Sequence, residues 1–166
     1  MRTPIRAAAM LLALCGLAFA ATGAVAADAK ATDAKATTPA EVKTHHVAIQ
    51  VDQNDPAVMN LALNNAANIM EYYKGKGEDV QIEVVAYGPG LAMFRDDSSP
   101  VKDRLREMAE FAFPSQVKFS ACNNTKEGME KREGHAIAIV PQASLVPSGA
   151  VRLMELQEQG WTYLKP

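Results

Sequence analysis

The chain has 166 residues, enough for one ordinary domain, with 48% hydrophobic and 22% charged residues. Its formal charge is −2, and loss of an N-terminal signal carrying Arg2 and Arg6 takes it to −4. That mildly acidic balance argues against nucleic acid as a partner, which requires a basic surface.

The first stretch, "MRTPIRAAAMLLALCGLAFAATGAVAADAK", pairs Arg2 and Arg6 with an apolar run from Ala7 to Ala21. Ala24-Val25-Ala26 then supplies small residues for cleavage, so residues 1–26 read as a secretory signal peptide. The run is alanine-rich and short of the ~20 strongly apolar residues a membrane span needs. Cys15 follows bulky Leu14 inside that run, which does not suit a lipoprotein site, so it leaves with the signal. The expected destination is the periplasm, with no membrane attachment after cleavage. Cys122 is then the one remaining cysteine, and an internal disulfide is excluded.

Residues 27–43 repeat Asp-Ala-Lys-Ala-Thr at 28–32 and 33–37 and lack bulky apolar residues, so they are expected to form a disordered linker. The folded domain is expected over 44–166. Val47, Ile49 and Val51 alternate with Ala48 and Gln50 as in a strand. Asp55-Pro56 opens a helix in which Val58, Leu61, Ala62, Asn65, Ile69 and Tyr72 recur at helical steps, and Gly75 and Gly77 stop it. "VQIEVVAYG" is a second strand, followed by a turn at Gly88-Pro89-Gly90, which extends neither strand nor helix.

Ser99-Pro100 starts a second helix, with Val101, Leu105, Met108 and Ala112 on one face and Pro114 ending the segment. "VKFSA" is a third strand that ends at Cys122, and "NNTKEGMEKREG" a short polar helix. Ile137–Val140 leads into a fourth strand at Ala143–Val146. "AVRLMELQEQ" is a last helix stopped by Gly160, and "WTYLK" a short final strand. Repeated strand–helix units predict an α/β fold: a three-layer α/β/α domain with a mostly parallel sheet of about five strands.

Functional groups in such sheets gather outside the carboxyl ends of the strands. That rule brings together "DQNDP", "YGPGL", "CNNT" and "PSG". Cys122 is the candidate nucleophile. Asn123, Asn124 and Thr125 are helix-starting residue types, and amides at a helix N-terminus favour a thiolate; Lys126 in the first turn adds positive charge. Asn54, Gly88, Pro89, Gly90, Ser148, Gly149 and Arg152 form the expected rim, with Arg152 close enough to favour an anion there. The competing reading of Cys122 is a small buried residue capping a strand.

His45, His46 and His135 show no metal-ligand spacing, and a Cys–His dyad requires His46 or His135 to fold back onto Cys122. Ser148 lacks the Gly-x-Ser-x-Gly elbow, and "YGPGL" lacks the phosphate-loop lysine. Asn60, Asn64 and Asn68 make a stripe four residues apart, expected either at a subunit interface or as a plain polar face.

"NLALNNAANI", "IEVVAYGPGL", "FSACNNT" and "VPSGAVRLMELQEQGWTYLKP", in that order, resemble the DsrE/DsrF-like family over nearly all of residues 44–166. The resemblance implies a compact α/β/α fold with a parallel sheet and a homo-oligomer, trimer or hexamer. It also implies sulfur relay, in which a cysteine after the third strand carries sulfur as a persulfide between a donor and an acceptor. Cys122 matches that position. No cofactor or metal is implied. The alternatives are a non-catalytic oligomeric binding or assembly module, with Cys122 structural, and a thiol-redox sensor. The best understood branches are cytoplasmic and hetero-oligomeric, whereas this chain carries an export signal.

Overall fold

The structure, a computed structural model, describes residues 42–111 and 116–166. The expected signal, most of the expected linker, Ala112 and Pro114 lie outside the described residues. Five strands form one sheet: β1 (Thr44–Val51), β2 (Asp79–Ala86), β3 (Gln116–Cys122), β4 (Ala143–Val146) and β5 (Thr162–Leu164). Their order is β4-β3-β2-β1-β5, and every pairing is parallel. The helices are α1 (Pro56–Gly75), α2 (Lys102–Phe111), α3 (Asn123–Glu133) and α4 (Gly149–Glu158), so the domain is the expected three-layer α/β fold. No helix among the described residues is long and apolar enough to cross a membrane.

The two faces of the sheet differ sharply. Val47, Ile49 and Val51 of β1, Val80, Ile82 and Val84 of β2, and Phe119 and Ala121 of β3 point to one side. There they meet Met59, Ala62, Leu63 and Ala66 of α1 and Leu105 of α2, with Met129 of α3 packed against the same core. The alternate residues point to the other side, where Ala48 and Val85 meet Leu153 and Leu156 of α4. Strand periodicity of two makes this division automatic. One ten-residue helix packs on the second face, which also carries buried polar residues: Gln50, Glu83 and Ser120.

The element boundaries have local causes. Asp55 caps α1 by accepting from the Ala57 amide at 2.7 Å, and Gly77 leaves it with φ +69°. Asn60 Oδ1 and Asn64 Oδ1 accept from the Arg104 guanidinium at 2.6 and 2.8 Å. These two members of the Asn stripe therefore dock α2 onto α1 within the chain. The buried face of α1 also differs from the expected one: Leu61 and Tyr72 are exposed, while Met59, Leu63 and Ala66 are buried. The helix is apolar around most of its circumference, so two neighbouring stripes fit the same spacing, and packing against β1 and β2 selects one.

Gly88-Pro89-Gly90 does not merely turn. It begins a 3-10 segment, Gly88–Phe94, whose Leu91, Met93 and Phe94 are fully buried. Proline is accepted there because the first turn of a helix needs no amide donor. Gly90 is required by contact: a Cβ would lie 2.3 Å from the Val51 carbonyl oxygen.

The chain order places the site. β1 to β4 advance in one direction across the sheet, with α1, α2 and α3 packed on one face. The connection from β4 to β5 runs back the other way, and α4 packs on the opposite face. β3 and β4 are thus neighbours whose following helices leave toward opposite faces. That divergence is a topological switch point, and Cys122 ends the strand on one side of it.

Candidate functional site

Cys122 is itself the N-cap of α3. Its backbone is extended, with φ −70° and ψ 115°, and its Sγ accepts from the Thr125 amide at 3.4 Å. Asn123 is the first helical residue rather than the cap. The first turn of α4 approaches from the other face, and the Gly149 amide is among the groups that favour the thiolate form. Gly149 is an N1 residue whose N–H has no acceptor within its own helix. The start of α4 thus lies beside the thiol that caps α3, since Val146 pairs with Cys122 across the sheet.

Burial pushes this thiol up, but the Thr125 hydroxyl and the amides of Gly149, Thr125 and Asn124 outweigh it. The net shift is below the ordinary thiol value, so the thiolate is favoured. The Gly88 amide donates to Thr125 Oγ1 at 3.0 Å, which ties the loop after β2 to the same cluster. The Asn124 amide donates to the Pro147 carbonyl at 3.2 Å and links the start of α3 to the segment entering α4.

Cys122 is 4% exposed and carries no disulfide. It stands at the carboxyl edge, as expected, but under cover. A cavity of about 580 Å³ opens at that edge, lined in part by Asn54, Gly88, Pro89, Asn124, Thr125 and Arg132. A second, of about 300 Å³, lies on the α4 side against Lys118, Val146, Pro147, Ser148, Val151 and Arg152. The thiol lines neither wall, but Thr125, whose amide donates to it, lines the first.

Several expected roles move. Lys126 Nζ pairs with Glu130 at 2.6 Å, one turn along α3, and does not serve the thiol. An i, i+4 partner outcompetes the buried sulfur for a partly exposed ammonium. The Asn123 side chain donates to Glu127 Oε1 at 2.7 Å and likewise points along the helix. Gly90 packs on the Val51 backbone instead of forming rim. Ser148 caps α4, its hydroxyl accepting from the Val151 amide at 3.4 Å. Gly149 admits the close approach of α4 to Tyr87, since a Cβ there would lie 2.7 Å from Tyr87 Cβ.

Arg152 is not free for an anion at the rim. Its Nε and one terminal nitrogen each donate to Glu83 at 2.7 Å, one bond to each carboxylate oxygen. Ser120 Oγ donates to Glu83 Oε1 at 2.6 Å, and Lys118 Nζ lies 3.7 Å away. Burial pushes Glu83 up, yet the bonds from Arg152 and Ser120 and the Lys118 charge hold it below the usual carboxylate range. Sequence reading passed over Glu83. Its signal was a lone charge inside the apolar strand run "QIEVVA".

The histidines stay apart from the thiol. His45 bonds Glu78 at 2.6 Å and stacks on Tyr73 at 3.7 Å near the amino end of β1, the opposite edge of the sheet from Cys122. His46 packs against Trp161, and exposed His135 lies beyond the far end of α3, bonded to the Ala136 carbonyl at 3.0 Å. No Cys–His dyad forms among the described residues. Nor do three His, Cys, Asp or Glu side chains gather there into a metal-binding group.

No protein-family model matches the chain, and no curated protein matches it. Among solved structures it is similar to a protein of unknown function, MTH1491 from Methanobacterium thermoautotrophicum. The TM-score is 0.61 and the identity 28%, covering 74% of this chain and 99% of that one.

Proposed function

We propose that this chain is a sulfur carrier in which Cys122 holds sulfane sulfur as a persulfide and passes it on. The observation that carries this reading is the α3 N-terminus on Cys122 Sγ, with the Thr125 amide donating at 3.4 Å and the segment entering α4 bonded to the same helix start through Asn124 and Pro147. A thiolate is the attacking form in sulfur exchange. It attacks the outer sulfur of a persulfide donor, a new S–S bond forms, and the donor leaves as its thiolate. An acceptor thiolate then attacks the outer sulfur of the Cys122 persulfide, and Cys122 leaves as thiolate. The sequence is redox-neutral and needs no cofactor or metal. The amides that favour the thiolate also favour the anionic persulfide and the leaving thiolate.

The 4% exposure of Cys122 restricts exchange to small sulfane-sulfur compounds and opposes a disulfide between two copies, which counts against a redox sensor. On this reading the chain is the exported, periplasmic counterpart of DsrE-like sulfur-relay proteins and works as a homo-oligomer, trimer or hexamer. The same burial favours a second reading, an oligomeric binding or assembly module in which Cys122 only caps a helix.

Intact-mass measurement after treatment with a sulfane-sulfur donor separates the two. A gain of one sulfur atom, lost in Cys122→Ser, is expected. A thiol that stays unmodified at pH values above its midpoint sinks the carrier reading and leaves the module.

A further inference from the structure

The buried polar cluster on the α4 face lies outside the exchange chemistry, yet it joins the two elements that meet at the thiol. Ser120 precedes Cys122 by two residues, so both side chains leave β3 on the same face. Arg152 lies in the first turn of α4, three residues after Gly149. Glu83, 1% exposed in central β2, accepts from both: Ser120 at 2.6 Å and Arg152 through two bonds of 2.7 Å.

A two-bond guanidinium–carboxylate contact fixes orientation as well as distance. A buried carboxylate in a sheet is costly unless fully satisfied, and a hydrophobic residue would hold a helix on a sheet more cheaply. What the ion pair adds is a defined register for the helix start. Among the described residues, the buried side chains that pack α4 onto this face from its own apolar stripe are Leu153 and Leu156, both further along the helix. The first turn therefore depends on Arg152, the Ser148 cap and the Tyr87–Gly149 contact.

We propose that Glu83 and Arg152 are positioning residues that lock the first turn of α4 beside Cys122 and so hold the start of α3, whose Asn124 amide donates to the Pro147 carbonyl at 3.2 Å, in place with the Thr125 N–H on the sulfur. The proposal rests on the reading of Cys122 as a thiolate nucleophile. The charged groups facing the pair are Lys118 on β3 and Glu155 on α4, the latter 3.6 Å from Arg152.

The test is the pH profile of alkylation of Cys122 by iodoacetamide, read by mass spectrometry in wild type, Arg152→Lys and Glu83→Gln. Arg152→Lys keeps the charge and loses the fork. Glu83→Gln removes a negative charge, so a through-space field alone would lower the thiol midpoint, whereas loosening of the first turn of α4 and of the helix start bonded to it raises it. The expected result is a rise of about one unit in both variants, a tenfold smaller thiolate fraction at a fixed pH below the midpoint. An unchanged or lowered midpoint in either natively folded variant overturns the proposal. Ser120→Ala, which keeps every charge, is read the same way should Glu83→Gln lose its native circular dichroism. A wild-type midpoint at the ordinary thiol value of about 8.5 removes the carrier reading instead, so the two failures are told apart.

Discussion

Thr125→Val tests the heart of the site with little change in side-chain volume. The hydroxyl has two connections: it favours the Cys122 thiolate, and it accepts from the Gly88 amide at 3.0 Å. Valine deletes both and keeps the backbone N–H on the sulfur. A hydrogen bond to a charged group contributes about 1.5–3 kcal/mol, which corresponds to a rise of about one to two units in the thiol midpoint. The Gly88 amide, left without its acceptor, costs a further ~1–3 kcal/mol of folding stability. Iodoacetamide alkylation of Cys122 as a function of pH measures the first effect, and urea unfolding at pH 7 the second. Both should move together. A loss of stability with an unmoved midpoint would show that the hydroxyl serves only the Gly88 loop, and the account of the thiolate would be wrong.

Gly90→Ala drives a Cβ to 2.3 Å from the Val51 carbonyl oxygen, a backbone atom at the end of a central strand. Urea unfolding should show a loss of about 3 kcal/mol or more; a loss under 1 kcal/mol would mean that the 3-10 segment shifts freely. Arg104→Ala removes the bonds to Asn60 and Asn64 and should cost roughly 1–2 kcal/mol, while sedimentation of Asn64→Lys should show the wild-type assembly, because this stripe serves α2. A changed assembly would return Asn64 to a subunit interface. Glu83 titrates below its ordinary value of 4.5 in the folded chain. Its contribution is complete above pH 4.5 and is lost as the pH falls through the folded value, so stability should drop more steeply in acid for wild type than for Glu83→Gln. Equal slopes from pH 6 to pH 3 would refute that assignment.

Much of the site was legible locally. A cysteine at the junction of an apolar strand and a polar helix start is a short-range pattern, and "CNNT" marks it. The contribution of Thr125 follows from the same four residues, because an N-cap side chain meets the amide three positions on. Lys126 and Asn123 were misjudged because each has a carboxylate four residues later on its own helix, and that nearby partner captures it. Arg152 was misjudged for the opposite reason. Its partner is 69 residues away, on a strand whose neighbours no local pattern names. The α1 face was misphased because alanines flank both candidate stripes, and only contact with the sheet separates them.

By itself, the sequence determined the strands and α-helices, their order and hence a parallel α/β sheet, since period-two and period-3.6 patterns report directly on backbone geometry. Tertiary structure alone decided the strand order β4-β3-β2-β1-β5 and the face that each helix covers. Those two choices bring the first turn of α4 beside Cys122 and seat Arg152 on Glu83. The physical reason is range. Caps and periodicities are satisfied within a turn or two of chain, whereas a buried carboxylate and an orphan amide find partners only after the sheet has assembled.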